Sequence, residues 1–130
     1  MYSSDFKPCL LIISAVIFIP KSRKRGNIRK LKASSDTFEQ AWNLAKKSDY
    51  WNAMILNGLA TSPILSSEPK IIPKLIENGA LGASVSGNGP SIAAIVRNDS
   101  ISKIKKVFSS HDGNTTVSEI NNKKAEVHEV

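Results

Sequence analysis

The chain has 130 residues, with 18 Lys and Arg against 11 Asp and Glu, two His and a formal net charge of +7. That length suits one ordinary domain, and 41% apolar with 22% charged residues excludes the disordered, collagen-like and coiled-coil classes. The single cysteine, Cys9, excludes an internal disulfide and a cysteine-based zinc site; lying in an apolar run, it reads as a buried, inert thiol.

Cys9 to Ile19 is nearly all apolar and is bounded by Pro8 and Pro20. A membrane span needs about 20 apolar residues, and this run stops short. A secretory signal is disfavoured by Asp5 and a lone Lys before the run and by a basic cluster where a cleavage site would follow. Ile12, Ile13, Val16, Ile17 and Ile19 are β-branched, so the run is expected to be a central strand buried on both faces.

Seven basic residues and no acid follow between Lys21 and Lys32: Lys21, Arg23, Lys24, Arg25, Arg29, Lys30 and Lys32. Taking seven from 18 leaves 11 basic against 11 acidic residues, so the positive charge is one short segment, read as a loop.

Ser34, Ser35 and Asp36 then offer N-cap oxygens, and Asp36 with Glu39 has capping-box spacing. Phe38, Ala41, Trp42 and Ala45 form the apolar stripe of a first helix. A second helix is expected from Asp49, carrying Trp51, Met54, Ile55, Gly58 and Leu59 until Ser62-Pro63 ends it. Trp42 and Trp51, at helical spacing among apolar neighbours, are assigned to the core. A third helix is expected from near Ser67, with Pro69 in its first turn, Ile71, Ile72, Leu75 and Ile76 on one face, and Gly79 as its left-handed cap.

The period then changes. Leu81–Val85 and Ile92–Val96 read as strands around an Asn-Gly turn. A fourth helix follows Asp99-Ser100, with Ile101, Ile104, Val107 and Phe108 on one side. A last strand spans Thr115–Ile120, and the tail from Asn121 is polar. The order is βαββαβ with an enlarged first crossover, which predicts an α+β, ferredoxin-like sandwich: an antiparallel four-stranded sheet with helices on one face. His111 and His128 have no partner at metal-ligand or catalytic spacing and read as surface residues.

The segment richest in information is Ser86-Gly87-Asn88-Gly89-Pro90-Ser91. Gly87 and Gly89 permit positive φ and remove the Cβ atoms that would hold a ligand off the backbone. Successive N–H groups in such a turn can form an anion-binding nest. On glycine content alone, a ligand-free hairpin turn is the plainer reading.

With Gly79-Ala80 ahead of it, this string resembles the third motif of the GHMP kinases, which include galactokinase, homoserine, mevalonate and phosphomevalonate kinases. Val16–Lys21 and Asp49–Gly58, at their spacing from the glycine string, are further similar to the archaeal-type shikimate kinases. The resemblance covers about residues 14–122, leaving 1–13 as an extension with the strand start and 123–130 as a tail. It implies a ferredoxin-like C-terminal domain and transfer of the ATP γ-phosphoryl group to the 3-hydroxyl of shikimate, with Mg2+, in cytoplasmic chorismate and aromatic amino acid biosynthesis. Ser86, Gly87, Asn88, Gly89, Pro90 and Ser91 would line the ATP phosphates. Lys21 or Arg23, with Lys24 and Arg25 beside them, would face the shikimate carboxylate or the ATP phosphates, because Arg pairs bidentately with such anions; for most of the seven charges a solvated basic loop is the plainer reading. Asn57 is either a substrate contact or a helix-packing residue.

The resemblance also implies an ATP-binding N-terminal domain, and no Gly-Leu-Gly-Ser-Ser-type string occurs here. The chain is therefore expected to be the C-terminal portion of a kinase, inactive alone, whose partner is an N-terminal domain supplied in cis or in trans. Two alternatives remain: a fragment of a homoserine- or mevalonate-type kinase, and a small basic RNA-binding module on a ferredoxin-like sheet. The second is disfavoured by strands that carry Ile, Val and Ala rather than stacking aromatics.

Overall fold

The computed structural model describes residues 12–22, 26–66, 68–87, 89–121 and 125–128. β1 (Ile13–Pro20) alternates: Ser14, Val16 and Phe18 are buried, whereas Ile13, Ala15 and Ile17 are half-buried on the opposite face. Its β-branched residues suit the pleat, and the alternation fixes its register. It pairs antiparallel with β3 (Ile92–Arg97) on one side and β4 (Gly113–Glu119) on the other, and β2 (Gly82–Val85) pairs antiparallel with β3. The order β2-β3-β1-β4 makes β1 central, as its composition predicts, but it is not buried on both faces, since Ile13, Ala15 and Ile17 are half-buried and Ile19 is exposed. The topology is a split βαβ arrangement.

Among the described residues, five α-helices join these strands: α1 (Ile28–Ala33), α2 (Ser35–Lys46), α3 (Tyr50–Leu65), α4 (Ile71–Glu77) and α5 (Ile101–Ser109). One continuous core unites Val16 and Phe18 of β1, Ala83 and Val85 of β2, Ile92, Ala94 and Val96 of β3, Ile71, Ile72 and Leu75 of α4, and Ile104 and Phe108 of α5. Each fully buried large aliphatic side chain contributes about 1.5–3 kcal/mol. The rings of Phe18 and Phe108 stack at 5.1 Å and 9°, which adds about 0.5–1.5 kcal/mol beyond their burial.

The helices are not all on one face. Gly82 and Ser84 alternate with Ala83 and Val85, yet all four are buried. α4 and α5 cover the side bearing Ala83 and Val85. The first half of α3 lies against the other side, with Met54 and Trp51 over Gly82 and Asn57 Nδ2 donating to Ser84 Oγ at 2.9 Å, while Ile64 and Leu65 at its end join the core. Gly58 makes this approach possible, since a Cβ there would collide with the carbonyl oxygen of Ala83 and come within 2.9 Å of Ser84 Cα.

Several local expectations shift. The segment from Lys21 to Lys32 is not all loop, because α1 begins at Ile28 with Asn27 Oδ1 accepting from the Arg29 amide at 2.9 Å. α2 starts at Ser35, so Asp36 stands inside its first turn rather than capping it. α3 continues through Pro63 to Leu65, with Pro63 on an exposed side of the helix. Trp42 is 63% exposed and Trp51 39% exposed. Neither is core: α2 buries only Ala41, and Trp51, in the first turn of α3, covers Gly82 with part of its ring and leaves the rest in solvent. Gly79 does take a left-handed φ of 101° just after α4.

Alanine at position 58 is the better helix former by about 1 kcal/mol, but its methyl group must displace the β2 backbone, and overpacking of this kind costs about 1–3 kcal/mol. Gly58→Ala is expected to lower the urea midpoint despite its favourable propensity; an unchanged or higher midpoint would refute the close-packing account.

Candidate functional site

Antiparallel pairing gathers the C-terminal end of β1, the C-terminal end of β2 and the N-terminal ends of β3 and β4 at one edge of the sheet. The β2–β3 connection, Ser86 to Ser91, lies there. Two of its amides are satisfied internally: Ser86 N–H donates to Ser91 O at 2.8 Å, and Gly89 N–H donates to Ser86 O at 3.0 Å. Gly87 and Gly89 have φ of 57° and 72°, and the Gly89–Pro90 peptide is cis. Pro90 is buried, Gly89 and Ser91 are half-buried, and Ser86 and Gly87 are exposed. Asn88 lies outside the described residues.

The two glycines do different work. A Cβ on Gly89 would stand 2.7 Å from Leu65 O and 3.1 Å from Leu65 Cβ, so this residue fits the loop against the C-terminal end of α3. A Cβ on Gly87 would have nothing within 4 Å. Its backbone is therefore open to an approaching group, as a phosphate-lining loop requires. Leu65 also packs against Gly26, which lies within the basic stretch Lys21–Lys32. One buried leucine thus meets both the glycine loop and the middle of the basic stretch, and the sequence carries no signal for that role.

Lys21 is at the same edge. Its amide donates to Asp112 O at 3.1 Å, and its Nζ lies 3.3 Å from Asp112 Oδ1. Both side chains are largely exposed, so the pair is screened and contributes little to stability. Arg23, Lys24 and Arg25 lie outside the described residues. Asn57 is elsewhere, eight residues before Leu65 on α3, with its amide committed to Ser84 Oγ and its carbonyl accepting from Thr61 Oγ1 at 2.8 Å.

His111 is not a free surface residue. Its side chain is 15% exposed, with Nδ1 3.3 Å from Glu68 Oε1, while its ring meets Phe18 edge-on at 6.2 Å. Nε2 is buried with no hydrogen-bond partner. Glu68 follows α3 and His111 follows α5, a juxtaposition that their spacing of 43 positions does not reveal.

The loop suits a polyphosphate edge in shape: an open Gly87 backbone flanked by Ser86 and Ser91 hydroxyl groups. It carries no carboxylate, and among the described residues no cluster of three or more His, Cys, Asp or Glu is arranged to hold a metal ion. Nor is there, among the described residues, a helix long and apolar enough to cross a membrane. The half-exposed sheet face beyond α3 presents Ile13, Ala15, Ile17, Ala93 and Ile95, and aliphatic side chains do not supply the base stacking of an RNA-binding sheet.

Residues 37–113 match the family model described as GHMP kinases C terminal, and the chain belongs to the GHMP kinase family through that domain. It is 31% identical over 115 residues to a shikimate kinase of Methanosarcina acetivorans, covering 85% of this chain and 39% of that protein. It is likewise 31% identical over 97 residues to a shikimate kinase of Methanobrevibacter smithii, covering 75% of this chain and 34% of that protein. The chain therefore spans little more than a third of the length of these relatives. Among solved structures, a homoserine kinase from Cytophaga hutchinsonii superposes with a TM-score of 0.57 at 18% identity, over 85% of this chain and 42% of that one; this likeness is one of fold.

Alanine at position 89 combines positive-φ strain of about 1–2 kcal/mol with the clash on Leu65. At position 87 it meets strain alone. Gly89→Ala is expected to destabilise the chain by at least about 1 kcal/mol more than Gly87→Ala in urea titrations. Equal losses would show that the loop is not seated on α3.

Proposed function

We propose that this chain is the C-terminal part of an ATP-dependent shikimate kinase of the cytoplasm, transferring the γ-phosphoryl group to the 3-hydroxyl of shikimate. The observation that carries the reading is the open glycine loop Ser86–Ser91, held in a segment that aligns with archaeal shikimate kinases over most of its length.

In this reaction the substrate oxygen bonds to the γ-phosphorus, the bond from phosphorus to the bridging β-γ oxygen breaks, ADP leaves and the hydroxyl proton passes to a base. Catalysis rests on positioning and on electrostatic stabilisation. Ser86, Gly87 and Ser91, with Asn88, form the wall against which the phosphates lie. Gly89 and Pro90 hold that wall on Leu65. Mg2+, when bound to the phosphates, neutralises their developing charge, and its protein ligands come from outside the loop, which offers only neutral groups. Lys21, where β1 ends, faces the substrate carboxylate, and Arg23, outside the described residues, is assigned to the same anion from the sequence alone. Asn57 acts through Ser84, as the α3–β2 tie that keeps β2 leading correctly into the loop. The remainder of the site belongs to an N-terminal GHMP domain, joined in cis or added in trans.

The test is reconstitution. The chain should be fused to, or mixed with, the portion of the Methanosarcina acetivorans shikimate kinase that its alignment leaves uncovered. ADP release is then followed with shikimate, homoserine or mevalonate. Shikimate-dependent turnover that is absent from either part alone is the expected result. Turnover with homoserine or mevalonate but not shikimate would overturn the substrate, and Gly87→Val leaving turnover untouched would overturn the role of the loop.

A further inference from the structure

Outside its basic stretch the chain is neutral by count, but the charges are not evenly spread. Residues 70–110 contain Lys70, Lys74, Arg97, Lys103, Lys105 and Lys106 against Glu77 and Asp99. Three of these lysines converge on one cleft. A cavity of about 430 Å³ opens between α4 and α5, lined by Lys74, Glu77 and Asn78 from one wall and Lys103, Lys106, Val107 and Ser110 from the other.

The fold builds this cleft. At one end, Gly79 comes close enough to α5 that a Cβ would lie 3.1 Å from Ser100 Oγ. At the other end, Glu68 and His111 join at 3.3 Å. Between these ties, Ile72 and Leu75 of α4 and Ile104 and Phe108 of α5 are drawn down into the core, and the partly buried Val107 packs against it. The polar edges of both helices therefore line one groove with an apolar floor.

None of the three ammonium groups has a carboxylate of a described residue within salt-bridge distance. Glu77, the one acid in the lining, is likewise outside every ion pair of the described residues. Lys103 and Lys106, three apart on α5, repel one another, and Lys74 adds a third positive charge from across the groove. The lining carries three ammonium groups against the one carboxylate of Glu77, and a cleft with such an excess of one sign concentrates counter-ions of the other sign. Lysine supplies compact, mobile ammonium groups that meet phosphoryl oxygens as point charges. The volume is that of a small-molecule site rather than of a macromolecular interface.

We infer that the α4–α5 groove is a binding site for a small polyanion carrying two or more phosphoryl groups, with Lys74, Lys103 and Lys106 as its ligands. It shares no residue with the loop Ser86–Ser91, and it stands whether or not the chain is part of a shikimate kinase.

Inorganic tripolyphosphate is the probe, titrated into the isotope-labelled full chain at physiological ionic strength. Its addition is expected to shift the amide signals of Lys74–Asn78 and Lys103–Ser110 with a saturable dependence. Lys103→Gln with Lys106→Gln is expected to weaken binding at least about tenfold while leaving the thermal midpoint within a few degrees. Because these residues are exposed, the chain should stay folded, and an unchanged spectrum away from the groove verifies this. Four results would overturn the inference: no saturation at millimolar tripolyphosphate, shifts confined to the Lys21–Lys32 segment or to the Ser86–Ser91 loop, unaltered affinity in the double variant, or binding of a single-stranded oligonucleotide without binding of tripolyphosphate.

Discussion

The close seating of α3 on β2 is the constraint that the rest of the site depends on. Gly58 lets the helix backbone reach the strand, and the hydrogen bond from Asn57 to Ser84 fixes the helix along it. With the helix held there, Leu65 at its C-terminal end arrives beneath Gly89 and beside Gly26. The conformation of the glycine loop is thus set twice, by its own positive-φ residues and by a leucine about 12 Å along the helix from the anchoring asparagine. A rigid helix transmits position in this way because its rise per residue is fixed. A loop tied only by its two strand ends would lack that second reference.

The same arrangement explains why β2 tolerates no polar side. It is an edge strand, yet α3 covers one face and α4 with the core covers the other, so even Gly82 and Ser84 are buried. Ser84 resolves its burial by accepting from Asn57, which satisfies a hydroxyl that would otherwise cost about 1–3 kcal/mol. At the opposite edge, β4 has no such cover, and Asn114, Thr116 and Ser118 accordingly face solvent. The sheet grades from fully buried at β2 to open at β4, and the glycine loop emerges from its most deeply buried strand.

Much of this order was legible in the residues. Periodicity separated strands from helices, the βαββαβ succession specified the strand order, and the glycines at 79, 87 and 89 marked the positions of positive φ. What was not legible depends on contacts between distant segments. Trp42 and Trp51 lie at helical spacing, but spacing cannot say how deeply a neighbouring helix reaches, and small residues rather than large ones made the tight interface. Pro63 continues its helix because its side is exposed, a property of packing and not of the proline. His111 and Glu68 meet only because α3 and α5 finish near one another. Counting charges along the chain placed the positive excess in one stretch, whereas folding gathers a second group of lysines from two helices.

The division between shape and charge at the edge of the sheet bears on how such a domain can serve phosphoryl transfer. The loop supplies shape: open backbone at Gly87 and two serine hydroxyl groups, with no formal charge among its residues. The nearest described cation at that edge, Lys21, is matched by Asp112 and so brings little net field. Transfer of a phosphoryl group needs several kcal/mol of charge stabilisation, more than neutral donors and a balanced ion pair provide. On the proposed reading the field comes from groups beyond this loop, and the stretch Lys21–Lys32, within which Gly26 meets Leu65, carries the densest positive charge in the chain. Gly89 and Gly26 share one contact, Leu65, so the glycine loop and a point within the basic stretch are both referred to the C-terminal end of α3.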